Sequence, residues 1–66
     1  MHMHKGFMIE VSKINDREHP YLASCYIGKE LVTNKGNNRE QAIYLIEAII
    51  DFTLSMIKTK GLRNNQ

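Results

Sequence analysis

Asn38-Arg39-Glu40-Gln41-Ala42-Ile43-Tyr44-Leu45-Ile46-Glu47-Ala48-Ile49-Ile50-Asp51-Phe52-Thr53-Leu54-Ser55-Met56-Ile57-Lys58 is the stretch whose reading decides the fold. Asn38 followed three residues later by Gln41 has the form of a capping box, in which an Asn oxygen accepts a backbone N–H and the Gln side chain reaches back. At about 100° per residue, Glu40, Tyr44, Glu47, Asp51, Ser55 and Lys58 gather into one polar stripe. Phe52, Leu45, Met56, Ile49, Ala42, Thr53, Ile46, Ile57, Ile50, Ile43 and Leu54 form an arc of roughly 200°. It runs from Phe52, Leu45 and Met56 on one flank, through Ala42 and Ile46, to Ile50, Ile43 and Leu54 on the other. One long helix is therefore predicted from Asn38 to Lys58 or Thr59. Gly61 suits a left-handed cap just past its end, and Lys58 and Lys60 suit the negative pole of its dipole. The segment 61–66 is expected to be a flexible end.

Before this helix the hydrophobic period drops from 3.6 to 2. Phe7, Ile9 and Val11 alternate with Met8, Glu10 and Ser12, which predicts a half-buried strand over Phe7–Ile14. A polar loop, Asn15–Pro20, ends on a proline that sits best at the start of a strand. Tyr21–Ile27 is rich in aromatic and β-branched residues and places Tyr21, Ala23, Cys25 and Ile27 on one face. A short Gly28-containing connection leads to Leu31–Asn34, the pattern of a hairpin. The expected fold is α+β: a three-stranded antiparallel β-meander followed by one long C-terminal helix, β-β-β-α. It forms a single domain over residues 1–66, with 1–6 flexible as well.

A chain of 66 residues buries only about 60% of its surface on folding and is marginal as a lone monomer. One cysteine excludes an intramolecular disulfide and fits a reducing compartment. A helix resting on one sheet needs an apolar stripe a little over about 100° wide, so this arc is about twice as broad as one sheet covers. Loops, the N-terminal segment and the strand-two tyrosines could close over the surplus, but the cover expected here is a second subunit, giving a homodimer or higher homo-oligomer. Its interface would be drawn from Leu45, Phe52 and Met56 or from Ile43, Ile50 and Leu54, whichever flank the sheet leaves bare.

Chemistry-bearing residues form no catalytic pattern. Ser12, Ser24 and Ser55 lack a nucleophile elbow, and Glu40, Glu47 and Asp51 read as a solvated helix face. Met1-His2-Met3-His4 offers soft ligands without a rigid scaffold, so adventitious metal binding is expected there and no designed site. Cys25 reads as a small buried hydrophobe. Lys35-Gly36-Asn37-Asn38 lacks the spacing of a phosphate loop. A net charge of +2 is too small to mark a nucleic-acid binder. With no signal-like apolar run and no uninterrupted membrane span, the expectation is a cytoplasmic, non-enzymatic protein without cofactor or metal.

Two resemblances add to this reading. Gly36-Asn37-Asn38-Arg39-Glu40-Gln41-Ala42-Ile43, followed by Ile46-Glu47-Ala48-Ile49-Ile50-Asp51-Phe52-Thr53-Leu54, resembles the core of HicB-type antitoxins, partners of HicA messenger-RNA-cleaving toxins. That family reads Gly-Asp-Thr-x-Glu-Glu-Ala-Leu at the helix entry. Where it carries Pro-Asp-Leu-Pro-Gly, this chain has Cys25-Tyr26-Ile27-Gly28-Lys29-Glu30. The likeness implies an antitoxin-like inhibitor acting as a dimer that occludes a toxin, nuclease or defence protein, such as a phage or mobile element would carry against its host. The polar rim of the sheet and the Asn15–Pro20 loop would recognise the target. The second likeness is to the C-terminal part of a double-stranded-RNA-binding domain, carried by His19-Pro20-Tyr21 and Gly36. It implies an RNA-binding module using His19, Lys35 and Arg39, although Arg39-Glu40-Gln41-Ala42-Ile43 keeps one cation of that family's Lys-Lys-x-Ala-Lys.

Overall fold

Alternation in the first half of the chain and the 3.6-residue period in the second become a sheet and the helix that lies on it. The computed structural model describes residues 2–64, with side chains described through Ile57. The elements are β1 (His2–His4), β2 (Phe7–Lys13), β3 (Tyr21–Ile27), β4 (Glu30–Gly36) and α1 (Arg39–Asn64). The strands form one antiparallel sheet in the order β1-β2-β3-β4.

The sheet thus has four strands, where the sequence predicts three with residues 1–6 flexible. The extra strand is made by a turn. His4 pairs with Phe7, leaving Lys5 and Gly6 as a two-residue loop with φ of 50° and 86°. Positive φ at both central positions is the type I′ pattern, whose twist matches that of paired strands. It folds His2–His4 back on Phe7–Ile9. The hairpin between β3 and β4 turns at Gly28-Lys29, with positive φ at Gly28 alone (66°), as a type II′ turn requires. The strand predicted to begin at Leu31 and end at Asn34 extends from Glu30 to Gly36.

One face of the sheet carries the core. Ile9, Ala23 and Cys25 meet Ala42, Ile46 and Ile50 of α1, all buried. Phe7, Val11, Tyr21, Ile27, Val32, Ile43 and Leu54 pack around them. The predicted inward face of Tyr21–Ile27 is the observed one. The helix start is also as read: Asn38 Oδ1 accepts from Gln41 N (2.7 Å), and Gln41 Oε1 accepts from Asn37 N (2.5 Å). Gly36 lets β4 approach the helix closely. A Cβ there would lie 2.5 Å from the backbone nitrogen of Ala42.

The helix continues to Asn64 and does not stop near Lys58. Gly61 lies within it and does not cap it. A helical glycine costs only about 1 kcal/mol relative to alanine, and no proline follows to force a stop. The parts expected of the Lys58 and Lys60 side chains, and of residues 65–66, lie outside what is described.

Candidate interaction surface

The sheet takes one apolar flank of α1 and leaves the other bare. Ile50 is buried, and Ile43 and Leu54 pack against the core cluster. On the opposite flank Leu45 is 42% exposed, Ile49 38%, Phe52 67% and Met56 57%. These four recur at intervals of four, three and four residues, one continuous ridge along the helix. Nothing among the described residues covers it. Of the six candidate interface residues, Leu45, Phe52 and Met56 are available on the surface, and Ile43, Ile50 and Leu54 are held by the protein's own sheet. Ile49 completes the ridge.

The helix's orientation on the sheet follows from its polar side. His2 Nε2 donates to Glu47 Oε2 (2.7 Å), and His4 lies between two carboxylates, with Nε2 2.8 Å from Asp51 Oδ1 and Nδ1 3.3 Å from Glu47 Oε2. Lys5 Nζ is 2.9 Å from Asp51 Oδ1. The Lys5 ammonium, and then His4, hold the Asp51 carboxyl below its usual range. The Glu47–Asp51 stripe is therefore the seat of β1, where the sequence reading made it a solvated face. Sequence reasoning missed these contacts because His2 and Glu47 are 45 residues apart. The signal that could have found β1 is the Lys5-Gly6 pair between two alternating segments. With Glu47 and Asp51 turned to β1 and Ala42, Ile46 and Ile50 facing down, the Leu45–Met56 ridge overhangs the opposite margin, above the edge strand β4.

The residues of the RNA-binding alternative are all exposed: His19 in the β2–β3 loop, Lys35 on β4 and Arg39 in the first turn of α1. Asp16 organises this end. Its Oδ1 accepts from Glu18 N and His19 N, both at 3.0 Å, and its Oδ2 lies 3.3 Å from Lys35 Nζ. The His19 backbone N–H, with help from Lys35, keeps the Asp16 carboxyl below its usual range. Lys35 is brought beside the His19 loop, but an ionised carboxylate opposes its charge there.

Between β1 and the start of α1 lies a shallow groove of about 580 Å³ lined by His2, Glu40, Gln41, Ile43, Tyr44 and Glu47. Among the described residues, no group of three or more His, Cys, Asp or Glu side chains is placed to hold a metal ion, and no helix is long and apolar enough to cross a membrane. Cys25 is a free, buried thiol whose pKa is pushed up by burial. No protein-family model, curated protein or solved structure matches this chain.

Proposed function

We propose that this protein is a non-enzymatic, cytoplasmic, antitoxin-like inhibitor that works as a dimer and occludes a toxin, nuclease or defence protein. The observation that carries the reading is the bare ridge Leu45, Ile49, Phe52 and Met56. An apolar ridge of this length on so small a chain is a protein-binding feature, because exposed it stabilises nothing and costs solubility. With the ridge occupied by the second subunit, the polar outer rim of the sheet and the Asn15–Pro20 loop remain free to meet the target. The alternative, a small RNA-binding module, has less support, because Asp16 sits against Lys35 where phosphates would have to bind.

Co-expression with a HicA-type toxin tests the reading. Growth restored, messages left intact and a stable complex on purification are the expected results. Unrestored growth with folded protein present overturns the antitoxin reading. Binding of structured RNA that weakens steeply with salt would put the alternative in its place.

A further inference from the structure

We infer that two copies associate through β4, which pairs antiparallel with β4 of the second copy about a two-fold axis at Thr33, so that the two Leu45–Met56 ridges meet above the extended sheet. The inference rests on the dimer proposed above and names its surface. Three observations carry it, and each is independent of the resemblance to antitoxins.

The first is the open edge. β4 is the last strand of the sheet, and its outer side has no partner among the described residues. The two-residue turn at Gly28-Lys29 makes Ile27 and Glu30 a hydrogen-bonded pair. By alternation Glu30, Val32, Asn34 and Gly36 bond to β3, while Leu31, Thr33 and Lys35 turn their backbone N–H and C=O outward. The opposite margin offers no equivalent: β1 has three residues, and the helix side above it is polar and already occupied by His2, His4 and Lys5.

The second observation is spacing. α1 lies over β3 and β4. If its axis follows the line between them, it stands one strand spacing, about 4.8 Å, from an axis placed just outside β4. Two helices related by that axis would be about 10 Å apart, the distance at which packed helices interlock. On that placement, continuing the sheet brings the two ridges face to face.

The third is area. At roughly 200 Å² for a fully exposed large side chain, the four ridge residues leave about 400 Å² bare on each copy. Two ridges alone give about 800 Å², short of the roughly 1,200–2,000 Å² that stable interfaces bury. Adding the seven-residue edge of β4 on the same side brings the total into that range. The register follows from chemistry. Centring on Thr33 pairs all three outward residues, Thr33 with Thr33 and Leu31 with Lys35. Centring on Val32 would set Lys29 against Lys35, two like charges directly opposed.

Two measurements test this. In the wild-type protein, amide exchange at Leu31, Thr33 and Lys35 should be slowed at least about 100-fold relative to an open strand edge, and the protection should fade on dilution. In a Cys25→Ala background, single cysteines at positions 31, 33 and 35 should differ. Only Thr33→Cys meets its own copy at about 5.5 Å between Cα atoms, within disulfide reach, and it should cross-link at least about tenfold faster than the other two. A wild-type protein that light scattering finds monomeric at micromolar concentration overturns this inference and the dimer together. A dimer whose three amides exchange freely, or which cross-links best through Leu31→Cys or Lys35→Cys, overturns the inference alone.

Discussion

Toward β1, α1 presents Glu47 and Asp51, which His2, His4 and Lys5 engage from the first hairpin. Toward β4 it presents Leu45, Ile49, Phe52 and Met56, which nothing among the described residues engages. The two sides flank the same buried line, Ala42, Ile46 and Ile50. One side is closed by the chain's own N-terminal strand through polar contacts, and the other is left apolar beside an unpaired strand. A small domain with its core centred on six buried residues thus satisfies one margin internally and leaves the other apolar and uncovered among the described residues. The asymmetry accompanies the strand order: β4 ends the sheet at this margin and leads directly into α1.

A carboxylate placed in the buried line and another placed on the bare ridge should have opposite consequences. A domain of this size is stable by only about 3–10 kcal/mol, and a carboxylate left unpaired in the core costs several kcal/mol. Ile50→Asp should therefore abolish the cooperative thermal transition seen by circular dichroism. Phe52→Asp, on the bare ridge, should retain the helical spectrum and convert the dimer to a monomer in light scattering. If Phe52→Asp unfolds the chain while Ile50→Asp is tolerated, the two flanks have been assigned in reverse.

A smaller effect is expected where β4 meets the helix. Gly36 has no positive φ; it is glycine for want of space. A methyl group there would lie 2.5 Å from the nitrogen and 2.9 Å from the Cα of Ala42, backbone atoms that a rotamer change cannot move aside. Gly36→Ala should cost about 1–3 kcal/mol, the range for overpacking. It should also weaken dimerisation, because the helix shifts relative to the edge strand. An unchanged denaturation midpoint would show that this margin is looser than its distances imply.

The elements whose signals are local were legible in the sequence. Tyr21–Ile27, its inward face and the Asn38–Gln41 cap depend on neighbours within a few residues. β1 was not legible, because the alternation of His-Met-His is too short to establish a strand, and its place depends on the Lys5-Gly6 turn and on carboxylates far along the chain. The breadth of the apolar arc was also plain. Which flank the sheet takes was not, since both flanks are equally apolar and the polar contacts that orient the helix, from His2, His4 and Lys5 to Glu47 and Asp51, join residues more than forty positions apart. The helix end is not legible either, because Gly61 permits a cap without requiring one and the helix runs through it.

Next in size is the helix start, which both sides share. Asn38 Oδ1 accepts from Gln41 N at 2.7 Å, and an Ala at this cap leaves that donor to water. Asn38→Ala should cost about 0.5–2 kcal/mol in chemical denaturation. Since it favours neither margin, the dimerisation constant should change far less than in Phe52→Asp. A selective loss of the dimer would tie the cap to the β4 side.

The smallest effect tests the polar margin through pH. The Lys5 ammonium, followed by His4, lowers the Asp51 pKa in the folded state below its ordinary value of 3.8. A carboxyl whose folded pKa is depressed contributes stability above its unfolded pKa and loses it as pH falls through the folded value. Wild-type protein should therefore melt at a slightly higher temperature than Asp51→Asn at about pH 6, and the difference should close as pH falls below the ordinary carboxyl value of 3.8 and the wild-type carboxyl takes up its proton. Asp16, also depressed, titrates in both proteins and cancels from the difference. Because Asp51 is well exposed, solvent and salt screen the contribution, and the gap should narrow further at high ionic strength. A difference that persists unchanged across the acid range would mean that Asp51 supports β1 by shape alone, and the contrast between a charged margin and an apolar one would lose its electrostatic half.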